Sequence, residues 1–123
     1  MSARRLMAAF AALAVLVGIG ASSVLGAQSQ TQLTTVKVKA GVGNALKFSL
    51  STKRAPAGKV KFVVTNVSSI AHDFKIAGKA TPKLGKGKSA SITVSLVKGK
   101  KYTYICTVPG HAQLGMKGSF KAT

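Results

Sequence analysis

The stretch Tyr104 to Gly118, YICTVPGHAQLGMKG, sets Cys106, His111 and Met116 apart by four residues each. These are soft or borderline metal donors. The chain has one cysteine and two histidines, and its other methionines, Met1 and Met7, lie in an N-terminal stretch of different character. The second histidine, His72, sits more than thirty residues upstream in NVSSIAHDF. Two imidazoles and a thiolate can form a trigonal plane around an ion, with a thioether as a weak axial donor. That is the donor set of a blue-copper centre, in which sulfur stabilises Cu(I) and imidazole suits both oxidation states. Zinc competes, because Cys106, His72 and His111 with one water would make a three-residue zinc site. A methionine after the second histidine favours copper, since Zn²⁺ gains little from a thioether. Thiol catalysis by Cys106 and a histidine is the weaker reading. Pro109 stiffens the intervening loop, and Asp73, the sole acidic residue, is the only group available to orient a base. No catalytic residue is assigned, and the chain reads as a non-enzyme.

The N-terminus indicates where such a site works. Arg4 and Arg5 precede Leu6 to Leu25, which carries no charge, and small residues lead into the polar run QSQTQ. This is the layout of an export signal over residues 1–26. The apolar run is also about as long as a membrane span, so left uncleaved it would act as an anchor. Residues 27–33 read as a polar linker and 34–123 as one small metal-binding domain, with no room for a second. The chain is therefore expected outside the cytoplasm: periplasmic, cell-surface or secreted. There a lone cysteine cannot close an internal disulfide and reads as an intermolecular partner, a reactive thiol or a metal ligand.

Lysine and arginine total 19 against the single aspartate, a net charge of +18, or +16 without Arg4 and Arg5. Such a domain attracts acidic proteins and anionic lipid or cell-envelope surfaces. The lysines are scattered and not interleaved with aromatic residues, and export removes the chain from nucleic acid, so nucleic acid is not expected as its partner. Lysines on outward strand faces also keep a surface-associated protein soluble without any partner.

The segments that must position the donors read as strands. TTVKVKA (34–40) alternates valine with lysine, and ALKFSL (45–50), GKVKFVVTN (58–66), IAHDFKIAG (70–78), ASITVSLV (90–97), KYTYICT (101–107) and GMKGSFKA (115–122) follow the same period of two. Breakers separate them, and TPKLGKGKS (81–89) reads as a long solvated loop. No segment offers an amphipathic helix of three turns. Seven short strands at this spacing predict an all-β fold, a Greek-key two-sheet β-sandwich. In it the last loop brings Cys106, His111 and Met116 to one end, where the strand bearing His72 meets them. Gly110 permits a backbone conformation that a side chain would block, so His111 arrives at a fixed place.

YICTVPGHAQLGM, with NVSSIAHDF upstream, resembles the cupredoxin family, in particular its small plastocyanin- and azurin-like members, over essentially all of residues 34–123. The resemblance implies one type 1 copper ion that shuttles single electrons, held by His72, Cys106 and His111, with Met116 axial. Family members usually carry asparagine after the first histidine, tied to the residue after the cysteine. Here those positions are Asp73 and Thr107, so the tie would run through a carboxylate, which should lower the reduction potential by favouring Cu(II). Ala71 stands where azurins have a carbonyl-donating glycine, which implies four ligands. Plastocyanin has two residues between Cys and His, and azurin three between His and Met. This chain has four and four, so subfamily and redox partner do not carry over.

The leading functional reading is a monomeric electron carrier. Acidic redox partners would dock transiently near His111, within the apolar ring of Val108, Pro109, Ala112 and Leu114. The alternative is copper delivery or buffering without electron transfer, which would call for exposed, exchangeable ligands.

Overall fold

The computed structural model describes Gly20 and residues 32–123. The expected leader and most of the linker lie outside the described residues. Among the described residues nine strands form two sheets: β1 Thr34–Ala40, β2 Phe48–Leu50, β3 Arg54–Ala55, β4 Gly58–Asn66, β5 Lys75–Ile76, β6 Lys79–Ala80, β7 Ser89–Leu96, β8 Lys101–Ile105 and β9 Lys117–Ala122. One sheet has the order β2-β1-β4-β7 and the other β3-β9-β8-β5-β6. The chain passes repeatedly between them, as the predicted sandwich requires. Both sheets are mixed, since β1 runs parallel to β4 and β3 parallel to β9. Among the described residues the only helical element is a 3₁₀ turn at Val42–Asn44, and no helix is long and apolar enough to cross a membrane.

Alternation sorts side chains as the sequence implies. Val36, Val38, Val60, Phe62, Val64, Val94 and Leu96 turn inward from the first sheet, while Lys37 and Lys39 stay exposed. Tyr104, Phe120 and Ala122 answer from the second. Aromatic rings run through the middle of this core. Phe120 lies 5.2 Å from Phe62, Phe62 5.3 Å from Phe74, and Phe74 5.4 Å from Tyr104 between centroids. Each such buried ring is worth about 1.5–3 kcal/mol of transfer free energy.

Two expectations fail around His72. Residues 70–78 are not one strand: His72 makes an isolated bridge to Leu84, and only β5 and β6 form a short hairpin, turning at Ala77 and Gly78 with both φ angles positive. The alternation breaks because Asp73 is buried together with His72 and Phe74 on either side. Nor is 81–89 wholly a solvated loop. Thr81 and Leu84 are buried, Thr81 because its hydroxyl accepts from the Phe74 N–H at 3.1 Å and Leu84 because it pairs with His72. The predicted 45–50 strand shortens to 48–50.

Candidate metal centre

β8 and β9 are antiparallel neighbours, so the loop joining them emerges at one end of the sandwich. Cys106 follows β8 directly, and its N–H donates to the Met116 carbonyl at 3.1 Å. The Met116 N–H donates in turn to the His111 carbonyl at 3.0 Å, and the His111 N–H to that of Val108 at 3.0 Å. These bonds fold the loop onto itself. Gly110, with φ 86°, supplies the left-handed turn just before His111.

His72 reaches the same end just ahead of β5, the neighbour of β8 in its own sheet, through a different device, Asn66 of the opposite sheet. At the end of β4, its Nδ2 donates to the carbonyls of Ile70 and Leu84, both at 2.7 Å. Its Oδ1 accepts from the Ser68 N–H at 2.9 Å and the Ser68 hydroxyl at 3.1 Å. All four capacities of this buried amide are used, and they clamp 66–70 to the segment that pairs with His72. Gly41 completes the seat. Its φ is 79°, and a Cβ there would lie 2.5 Å from Ser68 Cβ and 2.8 Å from His72 Nε2. Sequence patterning reads Asn66 only as a turn residue and gives no sign of Gly41's contact, because both depend on segments far apart in the chain.

Three of the four predicted donors converge. His72 Nδ1 and His111 Nδ1 are 3.2 Å apart, and Cys106 Sγ lies 3.9 Å from the first and 3.6 Å from the second. The point equidistant from these atoms, in their own plane, lies about 2.1 Å from each. A divalent first-row ion bonds imidazole nitrogen at about 2.0–2.1 Å and thiolate at about 2.3 Å, so the triangle fits one such ion. His72 and Cys106 are each 1% exposed, and Met116 is fully buried beside them in sequence and backbone bonding. His111 is half-buried and is the donor nearest solvent.

Electrostatics favour the unprotonated, ligating form of His72 but the protonated form of Cys106. Burial first, then His111, hold the His72 imidazole below its ordinary 6.5, against the pull of Asp73. A neutral imidazole is the form that ligates. Burial also pushes the Cys106 thiol up, while backbone N–H groups of Asp73 and Val108 directed at the sulfur favour the thiolate. Metal uptake therefore has to release the thiol proton. Asp73 makes the tie expected of it: Oδ1 accepts the Thr107 N–H at 2.6 Å, and Oδ2 accepts the Thr107 hydroxyl. This links the residue after His72 to the residue after Cys106, holding two ligands in one frame.

A sequence model of the copper-binding proteins of the plastocyanin/azurin family matches residues 32–122. The chain belongs to that family. No curated protein matches it significantly. Among solved structures it is similar to dithionite-reduced auracyanin from Roseiflexus castenholzii, at 23% identity and TM-score 0.61, covering 73% of this chain and 97% of that one. Auracyanin A, a blue copper protein of Chloroflexus aurantiacus, aligns at 20% identity and TM-score 0.62 over 75% and 100%. Rusticyanin from Thiobacillus ferrooxidans aligns at 21% and 0.61 over 74% and 77%. At these identities the structures speak for the shared fold. The family and the grouped donors together make one copper ion of the type 1 class the cofactor of this cupredoxin.

Proposed function

We propose that this cupredoxin is an extracytoplasmic single-electron carrier, with His72, Cys106 and His111 as equatorial ligands and Met116 as the weaker fourth donor. The observation that supports it best is the donor triangle, set at ligand spacing and held by Asn66, Gly41 and the Asp73–Thr107 tie. Bound there, copper supplies a couple that takes up and returns one electron. The chain's part is to keep the donors from moving between the two states and to exclude water. Burial of His72 and Cys106 serves both ends and disfavours delivery, which needs ligands that a recipient can reach.

His111 is the point of exit. Around it Val108 and Ala112 are half-buried, Pro109 is exposed, and Leu114 is 73% exposed. Exposed lysines Lys47, Lys83, Lys86 and Lys88 belong to segments bonded to the same end of the sandwich as this apolar disc, so we assign an acidic redox partner and weak, salt-sensitive contact. The charge-free stretch Leu6–Leu25 supports work outside the cytoplasm.

Carrier and delivery separate in one experiment. The copper-loaded protein is reduced with a Cu(I) chelator present, then reoxidised after the chelator is removed. A carrier retains its copper and regains its full visible absorption. Loss of the metal to the chelator on reduction would put delivery first.

A further inference from the structure

The end of the sandwich opposite the ligands carries a second surface, which owes nothing to the metal. β1 and β4 both run from this distal end toward the ligands: Thr34 pairs with Val60, Ala40 pairs with Asn66, and Gly41 abuts His72. Seven residues at about 3.3 Å each put the two ends roughly 20 Å apart. Backbone bonds gather three separate segments at the distal end. Lys121 N–H donates to the Lys53 carbonyl, Gly99 N–H to Ala122, Ala122 N–H to Lys100, and Thr123 N–H to Ala55.

Each of these segments brings cations. Lys53 and Arg54 come from the first, Lys98, Lys100 and Lys101 from the second, and Lys121 from the third, all exposed. Lys59, the second residue of β4, is exposed at the same end. Among the described residues the only carboxylate side chain is Asp73, buried at the other end, so none of these charges has an acidic side-chain partner. The strand register makes the crowding explicit. Arg54 stands opposite Lys121, and Lys121 opposite Lys101, giving three like charges in a row across β3, β9 and β8. Neighbouring strands lie about 4.8 Å apart, and like charges directly opposite destabilise a sheet. An anionic surface set against the row would reverse the sign of that term.

The shape and surroundings favour a lipid surface over an acidic protein. The cations come from three segments ringing the tip of the sandwich, and apolar side chains protrude among them: Val97 is 63% exposed and Leu33 48%. Cations around a few exposed apolar groups suit a headgroup layer, where charge meets anionic lipid and apolar side chains enter the acyl boundary. Chain connectivity agrees. Thr34 opens β1 at this end, so the charge-free stretch Leu6–Leu25, where left uncleaved, would join the domain here and not at the ligand end.

We propose that the distal end rests on an anionic lipid surface and turns His111 and its apolar disc away from it. Binding of this end stands whether or not the copper carries electrons.

Lysine footprinting of the full copper-loaded chain tests it. Brief acylation is read by mass spectrometry with phosphatidylglycerol vesicles, phosphatidylcholine vesicles, soluble polyphosphate or no addition. On phosphatidylglycerol alone, Lys53, Lys98, Lys100, Lys101 and Lys121 should lose reactivity several-fold, while Lys83, Lys86 and Lys88 at the ligand end keep theirs. Protection of the ligand-end set instead, equal protection everywhere, none at all, or protection by polyphosphate but not vesicles would each overturn the proposal.

Charge removal gives an independent reading. Each lysine near an anionic bilayer contributes about a fivefold preference. The triple change Lys98→Gln, Lys101→Gln, Lys121→Gln should cut the chain's preference for phosphatidylglycerol over phosphatidylcholine by roughly 100-fold. The matched triple Lys83→Gln, Lys86→Gln, Lys88→Gln should change it only slightly. Equal losses in the two triples would contradict a distal landing surface.

Discussion

At the ligand end the loop that carries Cys106, His111 and Met116, residues 106–116, contains no lysine, arginine or carboxylate, and the lysines there stand in neighbouring segments at Lys47, Lys83, Lys86 and Lys88. At the distal end, by contrast, Lys53, Lys98, Lys100 and Lys121 crowd segments bonded to one another. The internal bonding differs as much. All buried polar and charged side chains among the described residues fall within 66–81: Asn66, Ser68, His72, Asp73 and Thr81. The distal end is tied mainly by backbone bonds, with exposed side-chain contributions from the Tyr102 hydroxyl, which accepts from the Val97 N–H at 2.8 Å, and the Thr52 hydroxyl, which donates to the Arg54 carbonyl at 2.9 Å. A satisfied buried network fixes one arrangement of its members, while exposed lysines leave the backbone beneath them free of specific demands. The fold thus concentrates its precision where two imidazoles must meet a thiolate, and leaves the other end to be selected for charge.

Breaking the ligand end should be costly in proportion to how many partners are orphaned. Asn66→Ala removes four hydrogen bonds and leaves the buried Ser68 N–H without its partner, while the Leu84 carbonyl keeps the His72 N–H and the Ile70 carbonyl keeps the Ser68 hydroxyl. It should therefore lower stability by about 1–3 kcal/mol, measured by urea unfolding. A loss below 1 kcal/mol would mean that the clamp does not hold His72. Gly41→Ala should cost about 1–3 kcal/mol through its positive φ and the overlap with Ser68, and it should also shift the copper absorption because His72 must tilt. An unchanged spectrum would show that the ring has room to spare.

Protons probe the same end. With its folded pKa below 6.5, the metal-free domain binds fewer protons at His72 than the unfolded chain does. The contribution is complete above pH 6.5 and is lost as pH falls below it, so metal-free stability should decline on acidification. His72→Gln should flatten that slope. Asp73→Asn, which removes a negative charge next to two ligands, should raise the reduction potential in voltammetry; no rise would remove the carboxylate's assigned role.

The smallest effect belongs to the distal end and has the opposite sign. Lys121→Ser relieves the row with Arg54 and Lys101 and should stabilise the domain by about 0.5 kcal/mol at low salt, fading as salt rises. Destabilisation there would erase the contrast between the ends.

The donor residues were legible in the sequence because each is nearly unique in type, and spacing alone put three of them in one loop. The long strands were legible because Val36, Val38, Phe62, Val64 and Val94 keep strict alternation across a sheet with one buried face. The segment around His72 was not. Its apolar period mimics a strand, yet its backbone is satisfied by Leu84, Thr81 and the Asn66 amide, partners whose nearness no local pattern encodes. The parallel pairing of β1 with β4 was hidden for the same reason: period shows which face is buried, and not which strand lies alongside.

The most direct measurement is a visible absorption titration of the full chain with Cu(II), alongside Cys106→Ser. One equivalent should produce an intense thiolate-to-copper band in the native chain that saturates at that ratio, bleaches on reduction and is absent from Cys106→Ser. Weak bands only, or the same spectrum from both proteins, would contradict a preformed His72–Cys106–His111 copper centre.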